Sequence, residues 1–126
     1  MKKLVLLSIM LQAFGVINAQ NNIDLTGKTF QQVNKIPNGS TEVYFNTKTE
    51  VIYTITNTIN GKTFVDKCTG KAIISGNKIS IKCLCDDKEI YPDPIEDSFI
   101  YDSKSKKLTS TSYRSTDGVY FIWNLK

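Results

Sequence analysis

The feature that most constrains the fold of this chain is its series of short segments of alternating apolar and polar residues, separated by turn dipeptides. The dipeptides Asn60-Gly61, Gly76-Asn77 and Asp117-Gly118 accept the positive φ values of tight β-hairpin turns. Between them, β-branched and aromatic residues recur in short runs, and helical periodicity is missing after residue 20. Consecutive hairpins predict an antiparallel meander, because the chain leaves no room for the crossover helices of a parallel sheet.

The alternation predicts nine short strands, at residues 28–33, 42–46, 50–57, 62–69, 71–75, 78–84, 98–102, 107–114 and 119–125. Several carry their apolar side chains on one face; in the last strand Val119, Phe121, Trp123 and Leu125 point the same way. These one-sided rows must be buried, and closing the sheet on itself buries them while it removes both edges. The sequence therefore predicts an all-β fold, a single antiparallel up-and-down meander that closes into an eight- or nine-stranded barrel.

The first 19 residues have the pattern of a secretory signal peptide. Lys2 and Lys3 precede an apolar run at residues 4–17, and Ala19 supplies the small residue expected before a cleavage site. This run of 14 residues is shorter than the roughly 20 that span a bilayer, which favours a cleaved signal over a retained anchor. We expect cleavage before Gln20, a single domain at residues 20–126 without a membrane span, and a secreted or periplasmic location.

Removal of the signal lowers the net charge of the protein. The full chain has 16 Lys and Arg against 12 Asp and Glu, and loss of Lys2 and Lys3 leaves 14 basic residues and a net charge of +2. Arg114 is the only arginine available for bidentate contacts to phosphates or bases. The small net charge and the single arginine argue against a nucleic-acid partner.

One segment, residues 86–97, concentrates the negative charge, with six acidic residues and one lysine. Clustered carboxylates are the ligands that calcium prefers, so a calcium site is one interpretation of this segment. The spacing matches no dedicated calcium loop, the segment has no glycine for a sharp turn, and two prolines stiffen it. We therefore favour a solvated acidic loop, and we expect neither a metal ion nor a cofactor.

The chain contains no histidine. Catalytic triads, Cys-His pairs and histidine-containing zinc sites are therefore excluded, and general acid–base chemistry falls to carboxylates, lysine or tyrosine. A pair of carboxylates could support glycoside hydrolysis. However, the strand pattern buries no acid beside another, and we expect most of the acidic residues to be solvated with ordinary pKa values. The sequence thus predicts no catalytic residues and a protein that is not an enzyme.

Three cysteines in an exported protein indicate one disulfide bond and one remaining thiol. Cys83 and Cys85 lie two residues apart on one predicted strand and face the same side, which is poor geometry for a bond between them. Cys68 is therefore expected to pair with Cys83 or with Cys85. A redox or zinc site is disfavoured, because Cys-Leu-Cys lacks the usual redox spacing and three thiolates leave zinc without a fourth ligand.

Four segments of the chain resemble parts of a known class of protein: residues 25–30, 76–81, 107–109 and 117–121. Gly27 followed by the aromatic Phe30 enters the first strand as in lipocalin-like barrels, and the other three segments resemble a middle hairpin and the closing strands. The chain is thus similar, over residues 23–125, to the small lipocalin-like (calycin-type) domains that bacteria export. This resemblance implies a β-barrel with a ligand pocket.

A second resemblance is confined to residues 115–120 and to Trp123. The sequence Ser-Thr-Asp-Gly-Val-Tyr is similar to the serine, glycine and tyrosine loop of periplasmic lysozyme inhibitors, which are also small disulfide-linked barrels. It implies a protein partner, a hydrolase of the lysozyme type.

Two classes of function follow from these observations. The first is a non-catalytic binding protein that holds a small apolar ligand among five aromatic residues, Phe45, Tyr53, Phe99, Tyr101 and Trp123. The alternative for these residues is that they fill the barrel completely, as side chains do in many small barrels.

The second class is a protein-interaction module that works through its loops, either residues 86–97 or residues 115–118. An internal cavity of a few hundred Å³ would favour the ligand, and a filled barrel with an exposed aromatic or charged rim would favour the protein partner.

Overall fold

The computed structural model describes residues 22–33, 38–114 and 120–126. These residues form eight β-strands: β1 (Thr29–Gln32), β2 (Gly39–Phe45), β3 (Glu50–Ile59), β4 (Lys62–Ser75), β5 (Lys78–Cys85), β6 (Ile95–Asp102), β7 (Lys107–Arg114) and β8 (Tyr120–Leu125). The predicted signal peptide and the Asp117-Gly118 turn lie outside the described residues.

The strands follow each other around a closed barrel in sequence order. Every neighbouring pair is antiparallel, and β1 completes the ring by pairing with β8, with Phe30 opposite Leu125 and Gln32 opposite Trp123. The all-β meander and its closure into a barrel are confirmed, and the described residues contain no helix. Accordingly, none of the described segments is a helix capable of crossing a membrane.

The strand count is eight because β4 runs without a break through Gly70. The prediction of two strands, residues 62–69 and 71–75, was wrong at this point. A Cβ atom on Gly70 would clash with the carbonyl oxygen of Lys82 and lie 2.6 Å from the Cα atom of Cys83. Glycine is therefore required here by the close approach of β5, and it does not mark the end of a strand.

The tight turns occur where their dipeptides predict them. Asn60 and Gly61 have φ values of 52° and 76° between β3 and β4, and Gly76 has a φ of 62° between β4 and β5. These two turns set the register of β4 against both of its neighbours, because a two-residue loop fixes which residues face each other.

One end of the barrel is closed by residues 22–28, which we call the plug. Leu25 of the plug is 1% exposed and belongs to the core. The backbone of the plug is held by hydrogen bonds from the N–H of Ile23 to the carbonyl of Gly76 (3.1 Å) and from the N–H of Gly27 to the carbonyl of Phe45 (2.6 Å). We refer to this end of the barrel as the plugged end and to the opposite end as the far end.

Aromatic side chains fill the plugged half of the interior. Phe30 packs edge-on against Phe45 and Tyr101, with ring centroids 5.9 Å apart in both pairs. Phe99 packs in the same manner against Trp123, with a centroid distance of 5.0 Å. All five rings are buried, and such edge-to-face contacts add to the stabilisation from apolar burial.

A disulfide bond joins Cys68 of β4 to Cys85 of β5. These residues face each other directly in the ladder, so the bond lies across neighbouring strands. The predicted pairing of Cys68 with one of the two later cysteines is confirmed, and its partner is Cys85. Cys83 is a free thiol buried in the interior, and burial raises its pKa to about 11.

Candidate functional site

A pocket of about 290 Å³, open to solvent, lies in the far end of the barrel, and we call it the far-end cavity. Its walls come from the inward faces of strands β1, β2, β3, β6 and β8, and from one residue of the loop between β5 and β6. The lining residues are Gln32, Thr41, Tyr53, Ile55, Asn57, Tyr91, Ile95, Asp97, Phe121 and Trp123. The barrel is thus filled at its plugged end and hollow at its far end.

Trp123 separates the cavity from the filled half of the barrel. Its indole ring is 2% exposed, contacts Phe99 on the core side, and packs at an angle against Phe121, with ring centroids 6.3 Å apart. Both Phe121 and Trp123 line the cavity. Because Trp123 is the only tryptophan in the chain, its fluorescence and its indole N–H are unique probes at the wall of this cavity.

A short chain of hydrogen bonds fixes the polar wall beside Trp123. The indole Nε1–H of Trp123 donates to Thr41 Oγ1 (2.9 Å), and the Thr41 hydroxyl donates in turn to Gln32 Oε1 (2.6 Å). These two hydrogen bonds satisfy the indole N–H of Trp123 and the hydroxyl of Thr41, and they hold the indole ring in one orientation. The remaining N–H groups of the Gln32 amide give the cavity wall a donor for a ligand.

Tyr91 brings the loop of residues 86–94 over the cavity. Asp87 folds this loop: its Oδ1 accepts hydrogen bonds from the N–H groups of Glu89 and Ile90 (3.1 Å each), and its carbonyl accepts one from the N–H of Tyr91 (3.0 Å). The Tyr91 hydroxyl then accepts a hydrogen bond from Asn57 Nδ2 at 3.4 Å. The loop is therefore tied to β3 at the rim of the cavity.

Asp97 is a carboxylate on the cavity wall. We predicted a solvated loop over residues 86–97, but β6 begins at Ile95, so Asp97 points inward with Phe99 and Tyr101. Its side chain is 4% exposed. The prediction of a solvated loop over residues 86–97 is therefore wrong for Asp97.

The surroundings of Asp97 raise its pKa. Burial raises the pKa from 3.8 to about 6, and hydrogen bonds from Ser110 and Ser98 oppose this effect only in part. Both bonds end on Oδ1: one comes from the Ser110 hydroxyl and one from the Ser98 N–H, each 2.7 Å long. Asp97 is therefore mostly ionised at neutral pH, although it is buried.

The five aromatic residues predicted to surround a ligand divide into two groups. Tyr53 and Trp123 line the cavity. Phe45, Phe99 and Tyr101 are buried in the core and are absent from the cavity wall. Sequence reasoning missed the polar lining. The sequence does contain a signal for the burial of Asp97. Asp97 lies two residues before Phe99, as Phe99 lies two residues before Tyr101, so all three side chains share the inward face of β6.

A second feature of the far end is the hairpin of β3 and β4. β5 pairs with β4 only from Cys68 onward, so the segment of β4 before Cys68 extends past this neighbour. Near the hairpin tip, Ile59, Phe64 and Val65 are 58%, 49% and 57% exposed. Ile59 and Phe64 lie on one face of the hairpin and Val65 on the other, so the tip exposes apolar side chains on both faces.

The sequence also suggested an interaction loop and a metal site. Residues 115–118, proposed as an interaction loop, lie outside the described residues. In the part of the chain that the structure describes, no three or more Cys, Asp or Glu side chains are grouped so that they could hold a metal ion. Comparison of the chain with protein-family models, with curated proteins and with solved structures found no match.

Proposed function

We propose that this chain is an exported, non-catalytic binding protein that holds a small, partly apolar ligand in the far-end cavity. The observation that carries the proposal is the cavity itself: about 290 Å³ inside a barrel whose other half is filled. Ligand pockets in proteins begin at about 300 Å³. A ligand of roughly the size of one aromatic ring with a short side chain fits this volume.

The lining of the cavity has the composition of a ligand pocket. Trp123, Phe121 and Ile55 supply apolar surface, while Gln32 and Asp97 supply polar groups on the wall. A mostly apolar pocket with few fixed polar groups both retains a ligand and orients it. Because Thr41 already fixes the indole ring and the Gln32 amide, little ordering is needed on binding, which favours affinity.

Two further observations support the export and the lipocalin-like character of the protein. A disulfide such as Cys68–Cys85 forms and persists in oxidising compartments, as expected outside the cytosol. An eight-stranded up-and-down barrel that is plugged at one end and hollow at the other is also the architecture in which lipocalins hold one small ligand. We therefore assign the chain to this architectural class as part of the proposal.

The test is the binding of a small neutral fluorescent probe, 1-naphthol, whose neutral-form emission rises in an apolar environment and whose size suits a cavity of about 290 Å³. Ile55 lines the cavity, so Ile55→Trp fills part of it and should lower the affinity for the probe by at least tenfold. Ile73 lies on the outer face of β4 and is 73% exposed, so Ile73→Trp is the matched control and should bind as the wild type does.

Circular dichroism confirms that both variants are folded before binding is compared. If Ile73→Trp lowers the affinity as strongly as Ile55→Trp, the probe binds on the outer surface and the proposal is wrong. The proposal also fails if the wild-type protein does not bind the probe.

The exposed hairpin tip favours a second candidate function, a protein-interaction module that inhibits a hydrolase of the lysozyme type. An extended hairpin with an apolar tip, formed by Ile59, Phe64 and Val65, is able to enter the cleft of a partner. If so, the protein should slow the hydrolysis of bacterial cell walls by lysozyme, and Phe64→Ser should abolish this effect. Unchanged hydrolysis at micromolar protein would exclude this function for lysozyme.

A further inference from the structure

We propose that the ligand of the far-end cavity is a small organic cation, in which an ammonium group pairs with Asp97 and an apolar body occupies the rest of the cavity. This inference rests on the proposed ligand-binding function and specifies the chemical class of the ligand. It follows from the position of Asp97, from the aromatic lining and from the distribution of charge at the far end.

Asp97 is a buried carboxylate on the cavity wall without a cationic partner among the side chains that the structure describes. It is 4% exposed, and its hydrogen bonds come from the neutral groups of Ser110 and Ser98. The ion pairs of the described residues, Lys82–Glu96 and Lys126–Glu42, lie elsewhere. Buried charges in proteins are normally paired, so a carboxylate that is ionised at neutral pH calls for a positive group in the cavity.

The aromatic lining suits the same ligand. Trp123, Phe121 and Tyr53 line the cavity together with Asp97, and aromatic faces attract ammonium groups. Ile55 and Ile95 provide apolar contacts for the rest of the ligand. An anionic ligand would be repelled by Asp97, and a neutral ligand would leave its charge buried and unpaired.

The charge around the cavity also favours a cation. Residues 86–97, which form the loop over the cavity and the start of β6, contain six acidic residues and one lysine. Asp66 faces Ile55 in the β3–β4 ladder and adds another carboxylate on the inward side of the hairpin. Acidic groups around a cleft raise the local concentration of cations and speed their association.

The test compares two ligands with the same phenylethyl body, the cationic 2-phenylethylamine and the neutral 2-phenylethanol, by isothermal titration calorimetry at pH 7.5. The amine is protonated at this pH, as lysine is. A hydrogen-bonded ion pair in the cavity should make the amine bind about 10- to 100-fold more tightly than the alcohol. This comparison uses the wild-type protein and depends on no variant.

The matched variants are Asp97→Asn and Glu96→Gln. Asp97→Asn keeps the Oδ1 acceptor for Ser110 and Ser98, so the fold is retained, but the amine should lose its advantage over the alcohol. Glu96 is the neighbouring residue of β6, it is exposed, and its neutralisation should leave the affinity for the amine within about twofold of the wild-type value.

Each outcome of this experiment decides the inference. Equal binding of the amine and the alcohol, or an unchanged amine affinity in Asp97→Asn, overturns the assignment of a cation while the proposed binding function stands. An equal loss in Glu96→Gln also overturns it, because a general surface field would then explain the preference. If neither ligand binds and the fluorescent probe also fails, the proposed function itself is wrong.

Discussion

Replacement of Asp97 by asparagine is expected to stabilise this protein at neutral pH. In the folded state the pKa of Asp97 is raised to about 6, whereas an aspartate in an unfolded chain has a pKa of about 3.9. Above pH 6 the folded protein therefore holds an ionised carboxylate in an unfavourable environment. The difference between the two pKa values corresponds to about 3 kcal/mol of folding free energy.

The sign of the effect follows from proton binding. Between about pH 4 and 6 the folded state retains the proton of Asp97 after the unfolded state has lost it, so the stability of the wild type falls as the pH rises. Asparagine is neutral at every pH, and its carbonyl oxygen accepts both hydrogen bonds that Asp97 Oδ1 accepts from Ser110 and Ser98. The variant should thus gain up to about 3 kcal/mol at pH 7.5 and little at pH 4.

Urea unfolding of the wild type and of Asp97→Asn at pH 4, 5, 6 and 7.5 measures this difference. Glu96→Gln is the control, because this exposed neighbour of Asp97 on β6 should show a small difference at every pH. If Asp97→Asn is destabilising at pH 7.5, or if its difference from the wild type does not change with pH, the assignment of Asp97 as a buried, destabilising carboxylate is wrong. A group retained at the expense of stability is typical of a binding site.

Three further predictions concern the interior of the barrel. Gly70→Ala should destabilise the protein by on the order of 3 kcal/mol in urea unfolding, because its Cβ would clash with the backbone of Lys82; an unchanged midpoint would contradict the close approach of β4 and β5. Thr41→Val should cost about 1–3 kcal/mol and alter the fluorescence of Trp123, because the indole N–H loses its acceptor; Thr41→Ser keeps the hydroxyl and should change neither quantity by much. Cys83 should resist alkylation at pH 8 in the folded protein, since it is buried with a raised pKa. One thiol should react after unfolding without a reductant, and three reactive thiols would contradict the disulfide.

The parts of the fold that depend on local signals could be predicted from the sequence. Turn dipeptides such as Asn60-Gly61 and Gly76-Asn77 specify hairpins, and alternation between them specifies which side chains face inward. The identity of the disulfide was also within reach. Counting outward from the Gly76-Asn77 turn sets Cys68 opposite Cys85, but the strand boundary predicted at Gly70 interrupts the count.

The site was harder to predict because it depends on long-range arrangement. The loop of residues 86–94 has no tight turn that would fix the register of β6, and the proximity of Asp97 to Pro94 and to the acidic residues before it suggested a solvated loop. The division of the aromatic residues between core and cavity depends on how far each strand extends along the barrel axis. Alternation places both Tyr53 and Phe45 inside the barrel. It does not reveal that, of these two, Tyr53 lines the cavity and Phe45 lies in the core.

The central claim, that the far-end cavity binds a small ligand, is tested most directly by the indole N–H signal of Trp123 in a ¹H–¹⁵N NMR spectrum. The chain has one tryptophan, so this signal is unique, and its N–H lies on the wall of the cavity. We expect the signal to shift progressively to saturation as 2-phenylethylamine is added. A constant indole signal, with shifts confined to Ile59 and Phe64 at the exposed hairpin tip, would place the ligand outside the barrel and contradict the claim.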